Sequence, residues 1–456
     1  MIFTGKIKEL FGVEPAISLE MGKAVDNAMS IYKGKPKWIS KKRSIKTINF
    51  AKAVCSETAR LCMLGTKITA TGSQRADWLQ EQIDNVYYKI REWVELGCAY
   101  GTIIIKPSTD GVDLFTPDKY VVTEYKNKSV TGVVFIYQTK VDEKFYTRFE
   151  YHHYENKERY TVSNRCFVGD SFNSVEQVLD IKLSPWSDLA EDSNITGMSC
   201  PAYGVFRTPH ANNIDINSAI GLPVFSEAVT ELEDLDIAYS RNAKEVDDSK
   251  RILLLDSDRM LPTGGKIKDM QSNFETNRDA MGLPDMVKNV FGDGTNTFYQ
   301  EINPQLNTEM RLKGIDALLS QIGYKVGFSN GYFVFNEATG IQTATGVEAE
   351  QQRTIQYIKD VRDKLEECIN DVVAGLDMYA SAYGLAPMGT YELVYDFGDI
   401  TYNQQEEKSR WWGYVVSGKV PAWKYFVKFE GMSEEEAKEM IAEAQPKQPT
   451  LFGGEE

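Results

Sequence analysis

Two rhythms of apolar spacing divide this chain. Near its start, "SIKTINFAKAVCSETARLCMLG" sets Ile45, Ile48, Ala51, Val54, Ala59 and Leu61 close to helical spacing and stops at Gly65. "RADWLQEQIDNVYYKIREWVELGCAYG" repeats the pattern through Trp78, Leu79, Ile83, Val86, Tyr87, Ile90 and Val94, so two amphipathic helices are predicted. From Thr102 to about Val168 the period shortens to two or to brief β-rich runs, among them "TIIIKPSTDGVDLFTP", "GVVFIYQTK" and "KFYTRFEYHHYE". Asp110-Gly111, Lys126-Asn127 and Asn156-Lys157 punctuate these runs, which predicts an antiparallel meander.

Helical spacing returns at Leu222-Pro223, with proline suited to a first helical position. The apolar stripe that follows is Phe225, Ala228, Val229, Leu232, Leu235 and Tyr239. "RILLLD" and "FYQEI" read as short strands. In "NTEMRLKGIDALLSQIG", Asn307 is placed to cap a helix with the stripe Met310, Ile315, Leu318, Leu319 and Ile322, ending near Gly323. "GIQTATGVEAEQQRT" (340–354) then sets Thr345 three residues before Glu348, a capping box, ahead of a long periodic run through Ile358, Val361, Leu365, Cys368, Val372 and Leu376. That run lasts to about Tyr383, and Gly384 and Pro387 supply its stop. One strand ("TYELVYDFGDI"), two shorter helices ("NQQEEKSRWWGYVVSG" and "SEEEAKEMIAEA") and a loosely composed tail complete an α+β chain with no solenoid repeat.

Composition narrows the function. The 456 residues carry 51 Lys+Arg against 66 Asp+Glu, a net charge of −15 that argues against a general phosphate-backbone binder. The exception is Lys33, Lys35, Lys37, Lys41, Lys42, Arg43 and Lys46, a stretch without acids that reads as a contact patch for nucleic acid or an acidic partner, or as a solvated arm. Six scattered cysteines without a CxxC pair suggest reduced thiols of a cytosolic product. No leader and no apolar run near membrane-spanning length is seen, so no membrane association is expected.

Catalytic templates find little. No phosphate-binding loop is present, since "TGGKIKD" lacks its spacing and hydroxyl, and "GDGTNT" reads as a turn. His152 and His153 are adjacent in a strand and point to opposite faces, and His210 stands apart. Asp396 and Asp399 form the best carboxylate pair and open two alternatives, a metal-dependent nuclease site or a strand-end turn. A monomeric DNA-binding adaptor using the basic stretch is a third reading. The expectation is a protein that is not an enzyme, with no cofactor and no metal.

The order of elements, with "GLPVFSEAVTELEDLDIAYSRNAKEV", "YHHYENKERYTVSNRCF", "IGYKVGFSNGYFVFNEATGIQTATGVEAE", "YDFGDI" and "GMSEEEAKEMIAEA", resembles the portal proteins of tailed bacteriophages, in the branch found in siphovirus-like phages and prophages of Gram-positive bacteria. The resemblance implies a wing at 1–220 with its meander at 102–168, a first stem helix at 221–249, a clip at 250–303 and a second stem helix at 304–327. It implies a tunnel loop at 328–345, a long helix and returning wing strand at 346–401, and a helical crown with a flexible tail at 402–456. Ser329, Asn330, Gly331, Tyr332, Phe333, Phe335, Asn336, Glu337 and Gly340 would belong to the loop beside DNA, with Thr345 and Glu348 as its cap and hinge. Phe225, Val229, Leu232, Leu235, Met310, Ile315, Leu318 and Ile322 would pack the stem. The implied assembly is a homo-oligomeric ring, expected to hold twelve subunits, at a capsid vertex. Double-stranded DNA would be packaged and ejected through it, and its partners would be the terminase large subunit, a head-completion or connector protein, and major capsid and scaffold proteins. Its place would be the virion, after assembly in the host cytoplasm.

Overall fold

The computed structural model describes residues 3–39, 45–108, 111–172, 174–175, 177–248, 252–256, 287–290, 299–302, 307–334, 344–398, 404–430 and 432–444. Within these, only the backbone is described at 246–248, 252–256, 287–290, 299–302, 344–350, 404–407, 410, 430 and 442–444. The chain is mixed α and β. It divides into two units, Met1–Met63 with Ile68–Tyr395, and Leu64–Lys67 with Asp396–Glu456.

The larger unit opens with α1 (Thr4–Phe11), α2 (Leu19–Tyr32), α3 (Phe50–Cys62), β1 (Lys67–Thr71) and α4 (Gln74–Tyr100). Six longer strands follow in sequence, β2 (Thr102–Ser108), β3 (Gly111–Phe115), β4 (Tyr120–Lys126), β5 (Ser129–Val141), β6 (Lys144–Asn156) and β7 (Arg159–Gly169), and then short β8 (Gln177–Leu179), β9 (Asp192–Ile195) and β10 (Gly204–Arg207). They do not form the single meander that the alternating pattern predicts. β2 and β3 leave to join β10 in a three-stranded sheet, order β10-β2-β3, while β4 to β8 form a second sheet with β9 paired to β7. The cause is burial on both faces. Ile103, Ile104 and Ile105 are all fully buried, so β2 is a central strand needing cover above and below. Helix α7 (Ala344–Ala382) supplies one cover. Gly204 of β10 lies so close to it that a Cβ would sit 2.2 Å from the Cys368 carbonyl oxygen.

The second sheet is likewise covered twice. Ile7 of α1 packs with Val121, Val134, Ile136, Phe149 and Phe167, while Met21 and Val25 of α2 join Val122, Val133, Phe135 and Ile104 on the other face. The continuous apolar run Val133-Val134-Phe135-Ile136 is explained by this double burial. Its hairpin turns are Asn127-Lys128 and Asp142-Glu143, each with two positive φ values, one residue beyond the expected Lys126-Asn127 in the first case. At the third turn Asn156 Oδ1 accepts the N–H groups of Glu158 and Arg159 at 2.9 and 3.1 Å.

The helix expected to open at Leu222-Pro223 starts later. Leu222, Val224 and Phe225 are buried in an irregular segment, Val224 N–H donates to the Cys98 carbonyl at 3.0 Å, and after a short 3-10 turn α5 runs Val229–Asp248. Burial of these three apolar residues against the end of α4 competes with helix extension and wins. Three strands, β11 (Ile252–Asp256), β12 (Val287–Val290) and β13 (Tyr299–Ile302), form a sheet ordered β12-β11-β13, with β11 parallel to β12 and antiparallel to β13. Helix α6 (Thr308–Val326) follows, then α7, then β14 (Glu392–Asp396), which pairs with β1.

Two buried arginines tie the long helices together. Arg75, 1% exposed in the first turn of α4, donates to the Pro387 and Asp377 carbonyls (2.9 and 3.2 Å) and to the Ser381 hydroxyl (3.2 Å) at the end of α7. Arg362 of α7 donates to the Cys62 and Leu61 carbonyls (2.9 and 3.1 Å) at the end of α3. Arg362 thereby satisfies carbonyls that the C-terminus of α3 leaves without partners.

The smaller unit contains α8 (Gln404–Val416), α9 (Ala422–Glu430) and α10 (Glu434–Ala444). The middle helix, "AWKYFVKFE", adds a third to the two predicted. Tyr425 and Phe429 pack at 5.0 Å, Trp411 meets Phe429 at 5.9 Å, and Trp412 meets Tyr425 at 5.2 Å. A capping box opens α10: Ser433 N–H donates to Glu436 Oε2 at 3.0 Å, and Glu436 N–H to Ser433 Oγ at 3.3 Å.

Candidate functional site

The segment from α5 to the start of α7 holds nearly all the residues that the sequence singles out. In α5, Leu232 and Leu235 are buried, and in α6 so are Ile315, Leu319 and Ile322. Phe225, expected on the same stripe, is buried ahead of the helix, and Val229 and Leu318 are half-buried. Met310 departs from the expected stripe: it is 76% exposed, while its neighbour Arg311 turns to α5. Lys325 near the end of α6 meets Glu231 near the start of α5 at 2.5 Å and donates to the Glu227 carbonyl at 2.9 Å. At the opposite end Glu245 of α5 pairs with Arg311 and accepts the Asn307 N–H at 3.1 Å. Clasps at both ends define an antiparallel pair. Burial alone would raise the Glu231 carboxyl, but Lys325 holds it below its ordinary range. Asn307 sits at the N-cap without a side-chain bond to the helix, so its backbone N–H makes the clasp instead.

Helix α6 also passes Gly323, the expected end, and stops at Gly327. There φ is +122°, and an added Cβ would sit 2.7 Å from the Tyr357 ring. The Gly323 carbonyl accepts from both Gly327 and Phe328 N–H groups, at 3.1 and 2.9 Å. The chain then folds into an anchor. Phe328 is fully buried between Tyr332, Phe333 and Tyr357, with ring centroids 5.0, 4.8 and 5.5 Å away, and Phe333 reaches Phe50 of α3 at 5.2 Å. Ser329 N–H donates to Thr354 Oγ1 at 2.8 Å, and the two hydroxyls meet at 3.0 Å. Tyr332 hydroxyl donates to Glu57, whose carboxylate takes Arg60 in a two-pronged contact at 2.7 Å. Burial, reinforced by Glu57, pushes the Tyr332 phenol up to about 12, while Arg60 holds Glu57 low. Asn330 bonds Ser320, and Gly331, at φ +79°, accommodates the turn.

Of the expected loop, Ser329, Tyr332 and Phe333 therefore face the protein body and fasten it. Phe335, Asn336, Glu337 and Gly340 lie outside the described residues. Thr345 does not occupy the N-cap: α7 starts at Ala344, placing Thr345 within the first turn, and the side chains of Thr345 and Glu348 lie outside the description.

The basic stretch is fixed to α5. Buried Asp236 accepts Trp38 Nε1 at 2.8 Å and the Ile48 N–H at 2.9 Å, and Ser240 Oγ accepts the Lys46 N–H at 2.9 Å. Lys33, Lys35, Lys37 and Lys46 are exposed, whereas Lys41, Lys42 and Arg43 lie outside the described residues. Asp396 is exposed at the end of β14, and Asp399 lies outside them, so that pair has no described geometry. Among the described residues no group of three His, Cys, Asp or Glu is arranged to hold a metal, and no helix is long and apolar enough to cross a membrane.

A buried polar cluster escaped the sequence reading. Glu150 of β6 meets Lys106 of β2 at 2.6 Å, Arg148 at 3.0 Å and His152 Nε2 at 2.6 Å, and His152 Nδ1 lies 2.5 Å from the Tyr160 hydroxyl. Tyr160 accepts the Ala202 N–H at 3.1 Å, so it donates to Nδ1 and leaves Nε2–H for Glu150. Burial opposes ionisation of Glu150, yet Lys106, His152 and Arg148 hold it well below the usual carboxylate range, and burial keeps His152 neutral. The period-two spacing of Arg148, Glu150 and His152 is the signal for this shared face. With every member buried, the cluster joins the two sheets.

No protein-family model and no curated protein matches this chain. Among solved structures, a chain of the virion of a native gene transfer agent particle is similar to it, at 10% sequence identity and a TM-score of 0.42, covering 89% of this chain and 93% of that one.

Proposed function

We propose that this chain is the portal subunit of a tailed-phage-type virion, a ring-forming conduit for double-stranded DNA rather than an enzyme. The observation that carries the reading is the antiparallel pair α5–α6, clasped at both ends by Glu231–Lys325 and Glu245–Arg311 and bracketing a small inserted sheet. A paired-helix stem that leads to an insertion and returns into a long helix buried along one face suits a wall element repeated around an axis. The body then serves as wing, the insertion as clip for the packaging motor and connector, and residues after the Phe328 anchor as the loop beside DNA. Hydrolysis of ATP belongs to a separate motor in this scheme. Negative net charge suits a channel through which phosphates slide, since clustered cations would hold them in place.

Negative-stain imaging of the purified full-length chain tests the proposal. Class averages are expected to show closed rings with a central hole wide enough for duplex DNA. Images holding only compact single subunits across salt and protein concentration would contradict it.

A further inference from the structure

Helix α4 turns Ala76, Leu79, Ile83, Ile90 and Trp93 to the interior. Its opposite face carries Asp77, Glu81, Asp84, Tyr88 and Glu92, spaced by three or four residues, all exposed, with Tyr88 at 74%. Asp77, Glu81 and Glu92 make no ion pair with a described residue, and Asp84 accepts only the Gln80 amide, at 2.7 Å. This is an acidic stripe about 22 Å long with an aromatic ring in it.

The lysines lie toward the far end of the same helix. Tyr32, the last residue of α2, donates its hydroxyl to Glu95 of α4 at 2.7 Å, and Lys33, Lys35 and Lys37 follow it, exposed and without an ion pair to a described residue. Glu81 and Asp77 sit about 21 and 27 Å along the helix axis from Glu95, beyond the reach of lysines anchored there. Among the described residues, each chain thus presents unpaired acid at Asp77 and Glu81, beyond the reach of its own unpaired lysines, while Glu92 lies within a turn of Glu95 and borders them.

We propose that the acidic stripe of α4 is a docking surface for the Lys33–Lys37 stretch of a second copy of this chain. Such a contact uses different faces of the two copies, the heterologous arrangement that closes into a ring when the rotation between copies permits. Copies with a net charge of −15 repel one another as wholes, so attraction and register come from placing a local basic strip against a local acidic one. Tyr88, whose ring the chain's own Lys89 already approaches at 5.5 Å, adds apolar area at the centre of the contact. The inference rests on the ring reading above and adds to it the two faces that meet.

Mass photometry of the full-length chain at low and high salt tests it, on wild type, E81K/D84K, K33E/K35E/K37E and the variant carrying all five changes. Thermal melting checks that each folds, as the exposure of all five positions leads one to expect. The expected result is a wild-type ring, a loss of at least about tenfold in ring fraction for each single-face variant, and recovery when the charges are exchanged. A wild-type ring that neither single-face variant disturbs would overturn the docking and leave the ring reading standing. Loss in both without recovery in the combined variant would overturn the pairing, and a monomeric wild type would overturn both readings. If K33E/K35E/K37E keeps its ring mass but loses salt-sensitive binding of duplex DNA, the lysines serve phosphate and the docking is wrong.

Discussion

At the residue scale, a few buried charges join elements far apart in sequence. Arg75 reaches the end of α7 from inside α4 through three acceptors, and truncation removes a buried guanidinium together with these bonds and its packing. Arg75→Ala is therefore expected to cost about 3 kcal/mol, read as a lowered urea midpoint with an unchanged slope. An unchanged midpoint would show that water replaces the guanidinium freely. Two histidines contribute to the pH response, while Asp371, which burial pushes up to about 6, acts in the opposite sense in the same range. Burial lowers His152 and His210 below their ordinary value, so the folded state binds fewer protons than the unfolded state. Their contribution is complete above about pH 6.5 and is lost as pH falls below it, at up to about 1.4 kcal/mol per pH unit for each histidine. His210, stacked on Tyr357 at 5.7 Å, is the simpler one to test, because His152 is coupled to Glu150 and Lys106. His210→Gln should flatten the fall in unfolding free energy between about pH 6.5 and 5, and a slope identical to wild type would refute the assignment.

At the element scale, the α5–α6 pair and the anchor at 328–334 are expected to behave as packed units whose apolar contacts outweigh their ion pairs. Leu319→Ala, at a fully buried position of α6, is expected to cost about 2–5 kcal/mol, whereas Lys325→Met at the partly exposed clasp should cost about 1 kcal/mol or less, both measured by chemical denaturation. The reverse order would mean that the clasps hold the pair. Phe328→Ala should open the anchor, seen as faster amide exchange at 327–334. Helix and strand existence was legible where local signals agreed: α4 ends at Gly101 and α7 at Ala382 before Gly384, both with positive-φ glycines after them. Tertiary contacts decided the rest. Pro223 fits a helix start locally, yet burial of its apolar neighbours holds the segment irregular. Gly323 resembles a stop, yet its carbonyl is capped from Gly327 and the helix continues. The anchor was legible only as a run of aromatic and polar residues, because Phe50, Glu57 and Thr354, which fasten it, lie far away in sequence.

At the scale of the whole molecule, the two covered sheets, the arginine-tied helices and the anchor make a body from which the α5–α6 pair extends an insertion. The divided surface charge, acid along α4 and lysines after α2, gives such a body two unlike faces. In the portal reading proposed above, these bodies repeat around an axis. The direct measurement is the native mass of the purified chain over a range of protein and salt concentrations. The prediction is a closed assembly near 0.6 MDa, as about twelve copies of a 51.6 kDa chain would give. A single species at the mass of one chain under every condition would contradict it.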